Sequence, residues 1–529
     1  MDFVPSAGRV RALTERLVGI PSVSPDVVAE TACAAALRES LPAGVEQGEW
    51  YAPDGRPVVW ARLRGRAAGP GPRRVALLLS HYDTVGVGDF ATLGGRLGDR
   101  IAFDPGALRE LFLNYATDTL PAGSHALLED LAEEQARPGT WMFGRGALDT
   151  KSGIAAGIVA LETLARDDAL AGDVLFVSCP DEEHASAGML AAVPELARLK
   201  RAEGLDLVGG LNLDIAPEPA AYAGVVGKAL AGIYVLGRPT HAGTPFEGVD
   251  AAQLAATIVA HATSSRELVD CAGGYAAAPP VALRMRDLKS GYNLQTVAEA
   301  EVELNLITIT RPLAETLGGL RRVALTALAE LLRSMRELAS WAQPGLPARI
   351  ATADLDGQVL LWPELLRMAG EPGELFEISD SADARAATLA RLRHVVREAR
   401  LHGPAVVIHL LPPYYPYAAP GGAPLVRAVR EVMAREGLEV RPFHPLVTDA
   451  SYLAWRAEPP EVLARYMPSY GHEYSLPLDA MRALDLDVVN LGPWGRDPHG
   501  CFERVRCDWT FGRLPGLVVE TVKRSLEPR

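Results

Sequence analysis

The chain has 529 residues, of which 48% are hydrophobic and 22% charged, as is usual for a globular protein. Its formal net charge of −14 argues against binding to nucleic acid or to an anionic membrane surface. No apolar run approaches the roughly 18 to 20 residues that span a bilayer, and the first residues do not predict a secretory signal. The five cysteines are scattered and form no CxxC pair, so we expect a cytoplasmic protein in which histidines and carboxylates would bind any metal.

Apolar strands and helices alternate through the first part of the chain. The predicted elements are two amphipathic helices within 7–41, strands at 57–63 and 74–80, a short helical pattern at 126–135, a helix at 150–165, a strand at 173–179, a helix at 185–201 and a strand at 205–213. Such alternation is typical of an α/β fold with a mostly parallel sheet. Residues 86–140 are less regular.

The pattern changes near residue 223. The next predicted elements are a strand at 227–237, a helix at 251–263, strands at 281–287 and 296–309, and a helix at 312–338. The α/β alternation resumes after residue 384, with 412–424 as a proline-rich connection. The simplest organisation is one α/β domain, 1–222 and 343–529, interrupted by an α+β domain at 223–342.

A histidine and an aspartate follow the predicted strand at 74–80. In open α/β sheets, binding sites form beyond the carboxyl ends of the strands. His81 and Asp83 stand there in SHYDTV, and an imidazole oriented by a carboxylate is a common metal-ligand arrangement. The H-x-D pattern alone is more often a loop or capping feature.

Further acidic residues and a second histidine occupy similar positions. Asp149 begins a helix in GRGALDTKSG, where the helix dipole also favours an acid, and the glycine–lysine pair of a phosphate-binding loop is missing. Three acids, among them Glu182 and Glu183, follow an apolar strand in SCPDEEHASAG, although one of them could simply cap the next helix. Asp214 ends another strand, and His499 lies in a loop after a late strand.

Taken together, two histidines and three carboxylates lie where one sheet could gather them. Nitrogen and oxygen ligands of this kind suit a pair of divalent metal ions. The charges agree, since three carboxylates and one hydroxide balance the four positive charges of two zinc ions.

The order HxD, GRGxxDxK, DEE, D and HxxxE resembles the co-catalytic di-zinc aminoacylase, carboxypeptidase G and acetylornithine deacetylase family. SHYDTV, the long spacers and PPYYPYAAP look most like its arginine-utilisation (RocB) branch. The resemblance implies a zinc-exopeptidase-like catalytic domain with a mostly parallel sheet. It also implies an inserted α+β, ferredoxin-like lid domain that contributes to dimerisation.

The resemblance also implies a role for each matching residue. Asp149 would bridge two Zn²⁺ ions, for which Co²⁺ or Mn²⁺ could substitute. The other implied metal ligands are His81 and Asp214 at one ion and Glu183 and His499 at the other. Glu182 would be the general base and Asp83 would orient His81. In the lid, His241 of GRPTHAGTPFEGVDA would stabilise the oxyanion, and Asn293 of SGYNLQTV would bind substrate.

Two departures from the family pattern stand out. The lid strand reads ELNLIT where the family often has Asp-x-Arg, so the arginine that binds a substrate carboxylate is missing there. Arg284, Arg286 and Arg311 are the candidate replacements. His81 and Asp149 are 68 positions apart, longer than in compact members, which predicts an insertion near the site.

These features predict a metal-dependent hydrolase that cleaves an amide or peptide bond of a small amino-acid derivative. N-acyl amino acids and dipeptides, including arginine derivatives, are the candidate substrates. The alternatives are a catalytically silent binding or regulatory protein on the same fold and an unrelated phosphohydrolase. The resemblance also suggests a homodimer through the lid domain, unless residues 340–420 replace the partner.

Overall fold

The computed structural model describes residues 4–67, 71–93, 99–114, 124–342, 357–370, 383–456 and 458–527. The α-helices in chain order are α1 (Ala7–Val18), α2 (Val27–Ser40), α3 (Pro105–Leu113), α4 (His125–Ala136), α5 (Ser152–Leu164), α6 (Ala187–Glu203), α7 (Ala251–Thr263), α8 (Leu313–Ala342), α9 (Trp362–Ala369), α10 (Ala384–Glu398), α11 (Pro424–Arg435), α12 (Val462–Tyr466), α13 (Leu478–Leu484) and α14 (Leu514–Leu526). Across the described ranges, no helix combines the length and the apolar character that crossing a bilayer requires.

The strands include all four that the sequence predicts within the first 222 residues, together with three there that it does not predict. In chain order they are β1 (Glu46–Tyr51), β2 (Pro57–Leu63), β3 (Arg74–His81), β4 (Trp141–Phe143), β5 (Asp173–Cys179), β6 (Asp206–Asn212), β7 (Ala221–Tyr222), β8 (Gly227–Leu236), β9 (Cys271–Ala272), β10 (Tyr275–Ala276), β11 (Val281–Asp287), β12 (Glu299–Thr308), β13 (Gln358–Leu361), β14 (Ala405–Tyr415), β15 (Val440–Arg441), β16 (Val488–Asn490), β17 (Gly495–Arg496) and β18 (Arg504–Arg506).

The first of two compact units comprises Met1–Val225, Ala418–Arg456 and Pro477–Arg529. Its eight-stranded sheet has the order β1-β2-β5-β3-β6-β16-β7-β15. The central strands β5, β3, β6 and β16 run parallel, which confirms the mostly parallel sheet that the sequence predicts. All residues of β5 are buried, as expected for a strand covered on both faces.

Helix α5, which begins shortly after Asp149, is packed closely against the sheet. Helix α5 contacts α1 and α14, and nearly all of its residues are buried. A Cβ atom at Gly153 would lie 1.9 Å from the carbonyl oxygen of Leu213, so only glycine permits this approach. This contact brings the start of α5, beside Asp149, against the end of β6, beside Asp214.

Part of the region 86–140 forms a layer next to the loop that carries His499. Its helix α3 contacts β4, which joins β17 and β18 in a three-stranded antiparallel sheet. An apolar cluster that includes Phe112, Phe143 and Phe502 fills the interior of this layer. The predicted insertion thus supports the chain on both sides of His499.

The second unit comprises Val226–Tyr417 and Ala457–Leu476. Elements β8, α7, β11, β12 and α8 follow one another in the order that the sequence predicts. The sheet of this unit has the order β11-β12-β8-β14-β13 and therefore contains two more strands than expected.

The structure corrects the expected boundary of this unit at residue 342. Strand β14 pairs antiparallel with β8 from Ala405 opposite Leu236 to Leu411 opposite Leu230, and β13 pairs with β14. The described residues of this range, 357–370 and 383–417, therefore belong to the second unit and not to the resumed α/β domain. An apolar strand such as 405–411 is compatible with burial in either sheet, so its composition could not decide between them.

Substitution of Gly153 tests the close approach of α5 to β6. We expect Gly153→Ala to lower the free energy of unfolding by about 1 to 3 kcal/mol or more, because the new Cβ meets a backbone carbonyl that cannot turn aside. Gly516→Ala on α14 is the matched control, since nothing lies within 4 Å of its Cβ position and alanine favours the helix. Thermal unfolding compares the two, and equal stability would show that α5 can move away freely.

Candidate metal centre

The candidate ligands in the first unit lie beyond the carboxyl ends of three adjacent strands. His81 is the last residue of β3, Glu183 follows β5, and Asp214 follows β6. Asp149 lies in the irregular turn Ala147–Lys151 that leads into α5, and His499 lies between β17 and β18. The structure thus brings together all five residues that the sequence singles out as ligands.

These five residues form two groups that share one member. Nε2 of His81 lies 3.0 Å from Oδ1 of Asp149 and 3.5 Å from Oδ1 of Asp214. Nε2 of His499 lies 3.2 Å from Oδ2 of Asp149 and 3.1 Å from Oε1 of Glu183. Asp149 therefore turns one oxygen toward each histidine, as a carboxylate that bridges two ions would do.

The spacing and chemistry of these atoms fit divalent metal ions. Within each group, one ligand atom from each residue lies within 4.8 Å of the others. Ligand atoms about 2.1 Å from a tetrahedral zinc ion stand about 3.4 Å apart, close to the distances between these groups. A mixture of imidazole nitrogen and carboxylate oxygen is also a donor set that zinc accepts.

Asp83 connects one ligand to the acidic loop after β5. Its Oδ1 lies 3.4 Å from Nδ1 of His81. Its two oxygens also accept hydrogen bonds from the backbone N–H groups of Glu182 and Glu183, at 3.1 and 3.0 Å. One fully buried carboxylate therefore fixes both the imidazole ring and the backbone that carries the two glutamates.

Glu503 performs a similar task for Asp149. Its Oε1 accepts hydrogen bonds from the backbone N–H groups of Leu148 and Asp149, at 3.0 and 3.2 Å. Its Oε2 accepts one from the buried Arg145 at 2.8 Å, and Arg145 also donates to the carbonyl oxygen of His499 at 3.0 Å. This pair joins the two chain segments that supply Asp149 and His499.

Nearby carboxylates raise the pKa of both histidines. Contacts with Asp149 and Glu183 raise the pKa of His499 to about 10. Burial opposes protonation of His81, yet contacts with carboxylates, Asp149 first among them, raise its pKa well above the usual range. The same contacts, from His499 and His81, hold the pKa of Asp149 below its usual range despite burial.

The pKa values of the two glutamates are raised, whereas that of Asp149 is lowered. Burial, followed by the charge of Asp149, raises the pKa of Glu183 to about 7. Burial also raises the pKa of Glu182 well above its usual range, and the charges of Asp449 and Asp214 add to this effect. The site therefore concentrates more negative charge than its two imidazoles balance, as expected for a place that receives cations.

Asp449 is a member of this acidic cluster that the sequence analysis did not identify. Burial raises the pKa of Asp449 to about 8. The charge of Asp449 in turn raises the pKa of Glu182. It begins a short 3₁₀ helix, Asp449–Leu453, after the two-residue strand β15. No long apolar strand precedes it, so the rule that identified the other site residues could not apply. The available signal was an acid in the apolar context LVTDASYL.

His241 and Asn293 lie in the second unit, in two loops that are hydrogen-bonded to each other. His241 pairs with Gln295 in an isolated bridge, and the N–H of Ala242 donates to the carbonyl oxygen of Leu294 at 2.8 Å. The side-chain oxygen of Asn293 accepts a hydrogen bond from the N–H of Gln295 at 3.0 Å. The structure thus brings these two residues near each other.

The three arginines that could replace the missing lid arginine already have partners. Arg286 forms a 2.5 Å ion pair with Glu301, and Arg284 lies 3.6 Å from Glu303. The guanidinium of Arg311 donates to the carbonyl oxygens of Glu267 and Val269.

Residues 113–483 match the family model described as Peptidase family M20/M25/M40. The chain belongs to this family. The matched range, which covers most of the chain, contains Asp149, Glu182, Glu183 and Asp214. The family resemblance found in the sequence is thereby confirmed.

Individual proteins resemble the chain over most or nearly all of its length. Protein RocB of Bacillus subtilis (strain 168) is 28% identical over 98% of this chain and 95% of that protein. The uncharacterized protein YqjN of the same organism is 28% identical over 90% of this chain and 87% of that protein. The structure of the di-peptidase Dug1p from Saccharomyces cerevisiae superimposes with a TM-score of 0.52 at 12% identity, covering 99% of this chain and 97% of that chain, and so shares the fold of this chain.

Zinc-dependent stability tests whether the acidic cluster of this M20 protein receives cations. After removal of bound metal with a chelator, excess Zn²⁺ should raise stability by mass action, by about 2.7 kcal/mol at 100 times the Kd. Asp149→Asn should lose most of this gain, because Asp149 belongs to both ligand groups. Asp479→Asn, at a fully exposed acid, should keep it. Thermal unfolding measures the gain, and an equal gain in Asp149→Asn would place the cations elsewhere.

Proposed function

We propose that this M20 protein hydrolyses an amide or peptide bond in a small amino-acid derivative by means of two bound metal ions. The observation that carries the proposal is the pair of ligand groups that share Asp149, with the half-buried Glu182 next to them but outside both. N-acyl amino acids and dipeptides are the candidate substrates, with arginine derivatives among them.

The proposed ligands divide between two zinc ions, for which Co²⁺ or Mn²⁺ could substitute. His81 and Asp214 would hold one ion, Glu183 and His499 the other, and Asp149 both. Such ions polarise a carbonyl group and lower the pKa of a coordinated water. Asp83 would hold the ring of His81 through its Nδ1 atom, which lies 3.4 Å from the carboxylate.

Glu182 is the proposed general base. Its backbone is fixed by the hydrogen bond to Asp83, and partial burial together with the charges of nearby carboxylates raises the pKa of its side chain. A carboxylate with a raised pKa accepts a proton more readily, so Glu182 would take a proton from water and later deliver it to the leaving amine. His241 would stabilise the oxyanion and Asn293 would bind substrate.

Replacement of Glu182 tests its proposed role. Glu182→Gln should lower kcat by about 10² to 10⁴, the usual contribution of a positioned base, while about two zinc ions per chain remain bound. Chelation should abolish wild-type activity. The measurements are metal analysis and kinetics on a panel of N-acyl amino acids and dipeptides. Glu195→Gln, at a glutamate that forms a surface pair with Arg198, is the matched control and should behave as wild type.

Four outcomes would contradict parts of this proposal. Loss of zinc in Glu182→Gln would show that Glu182 and Glu183 have exchanged roles. Full activity with one zinc ion per chain after exhaustive loading would exclude the two-ion site. Zinc binding without hydrolysis of any compound in the panel would favour the silent binding protein, and phosphatase activity would favour the phosphohydrolase.

We further propose that the protein is a homodimer formed through the second unit and that His241 acts on substrate in the partner's site. The edge strand β11 supports this, because most of its residues are exposed and Val281, Leu283 and Met285 are apolar. A two-fold axis would pair two such edges and present both copies of His241 equivalently.

Subunit mixing tests whether His241 acts across the dimer. His241→Ala and Glu182→Gln, each nearly inactive, are unfolded and refolded together. If His241 acts in the partner's site, each mixed dimer contains one site with both residues intact, and activity returns to about a quarter of the wild-type value by random pairing. Inactive mixtures in which mixed dimers are demonstrated would exclude this arrangement.

The proposed location is the cytoplasm. Within the described residues, Cys33, Cys179, Cys271 and Cys507 form no disulfide bond, which supports a reducing compartment.

A further inference from the structure

A single buried arginine connects three separate segments behind the acidic loop. Nη1 of Arg56 donates to Oε1 of Glu30 and to Oδ1 of Asp181, each at 2.7 Å. Its Nε donates to Oδ2 of Asp54, also at 2.7 Å. Arg56, Glu30 and Asp181 are almost completely buried, with side-chain exposures of 3%, 0% and 1%. Charged groups this deeply buried interact strongly, and removal of one leaves the others unbalanced.

Asp181 in turn organises the loop that carries Glu182. Its backbone N–H donates to Oε2 of Glu30 at 3.0 Å, and its carbonyl oxygen accepts from the N–H groups of residues 184, 185 and 186. Its Oδ2 accepts from the N–H of Ala187, the first residue of α6, at 3.0 Å. Asp181 also has a φ of 68°, which a residue other than glycine adopts only when its surroundings hold it there.

The segment 181–187 is therefore fixed from two sides. Asp83 holds the N–H groups of Glu182 and Glu183 from the side of His81. Glu30 and Arg56 hold the preceding residue, Asp181, through its backbone and its side chain respectively. A side chain whose backbone is held in this way cannot drift, and displacement of a catalytic group by 1 Å can cost about 100-fold in rate.

We propose that Arg56 is a positioning residue that holds Glu182 in place through Asp181. The inference rests on the proposed role of Glu182 in hydrolysis. Without the guanidinium group, Glu30 and Asp181 would face each other as buried carboxylates without their shared counter-charge. Loss of the two hydrogen bonds from Arg56 would release the left-handed turn at Asp181 and shift the adjoining Glu182.

Arg62, on the strand β2 that begins directly after Arg56, provides a matched control. It is also buried, with 5% of its side chain exposed, and it pairs with Asp173 at 2.7 Å and with Glu203 at 2.7 Å. These partners lie at the start of β5 and the end of α6, away from the ends that adjoin Glu182. Loss of Arg62 should therefore destabilise the fold without moving Glu182.

A double-mutant cycle with Glu182 measures the coupling. Arg56→Met should lower kcat by about 10- to 100-fold with KM and zinc content changed less than about threefold. Arg62→Met should leave kcat within about threefold of wild type. In the Glu182→Gln background, Arg56→Met should cause no further loss of kcat beyond about threefold, since the residue that it positions is no longer functional.

Amide hydrogen exchange on metal-free protein gives a second readout that needs no activity. A peptide covering 181–187 should exchange at least about tenfold faster in Arg56→Met than in wild type, because the bonds to Glu30 and Asp181 loosen. Arg62→Met should leave that peptide unchanged. If Arg56→Met does not fold, Arg56→Lys is the second variant. Lysine keeps the positive charge but lacks the planar guanidinium group that donates in several fixed directions, so the same changes should appear in smaller measure.

The possible failures can be told apart. An equal loss of kcat from Arg56→Met in the wild-type and Glu182→Gln backgrounds would show a general effect and overturn the positioning role. Unchanged exchange of 181–187 would overturn it as well. An unchanged kcat in Glu182→Gln would instead refute the proposed function of Glu182, and the exchange experiment would still decide whether Arg56 holds the segment.

Discussion

Mutual repulsion among buried carboxylates is the constraint on which the rest of the first unit depends. Three parallel strands end at one edge of the sheet, so acids that follow them must lie close together. The cost is visible in the pKa values, which burial and like charge raise to about 7 for Glu183 and about 8 for Asp449. A folded chain can bear such a cluster only if protons, imidazoles or bound cations offset the charge. The two ligand groups that share Asp149 are the places where cations would do so.

Buried arginines next to the acidic cluster offset part of its negative charge without contacting the side chains of the candidate metal ligands at its centre. Arg56 and Arg145 are both almost fully buried, and each pairs with a carboxylate that then holds the backbone of a site loop. Asp83 and Glu503 accept backbone N–H groups in the same manner. The fixed positions of Asp149 and Glu182 therefore come from a shell of ion pairs and backbone hydrogen bonds. Close packing, as at Gly153, adds the remaining rigidity.

The sequence could predict residues whose position follows from a strong local pattern. His81 and Asp214 stand at the ends of long apolar strands, and Glu183 stands in a run of acids after another, so all three could be found together with the parallel sheet. Asp449 could not, because it follows a two-residue strand. The predicted end of the inserted domain at residue 342 was wrong for a related reason. Strand β14 is mostly apolar and is buried along its length, and only its register with β8 shows that it belongs to the second unit.

The ion pairs and hydrogen bonds of the second unit indicate which of its arginines could bind a substrate carboxylate. A residue that binds such a group must offer hydrogen bonds that are not already made, or break existing ones. Arg311 donates to two backbone carbonyl oxygens, and Arg286 is paired with Glu301 at 2.5 Å. Arg284 is held less closely, since 3.6 Å separates it from a Glu303 that also lies 3.5 Å from Arg385. Recruitment of Arg284 would therefore cost the least, because Glu303 would keep a second guanidinium partner. Of the three arginines that the sequence offers, Arg284 is thus the one that the ion pairs of this unit leave most available to a substrate.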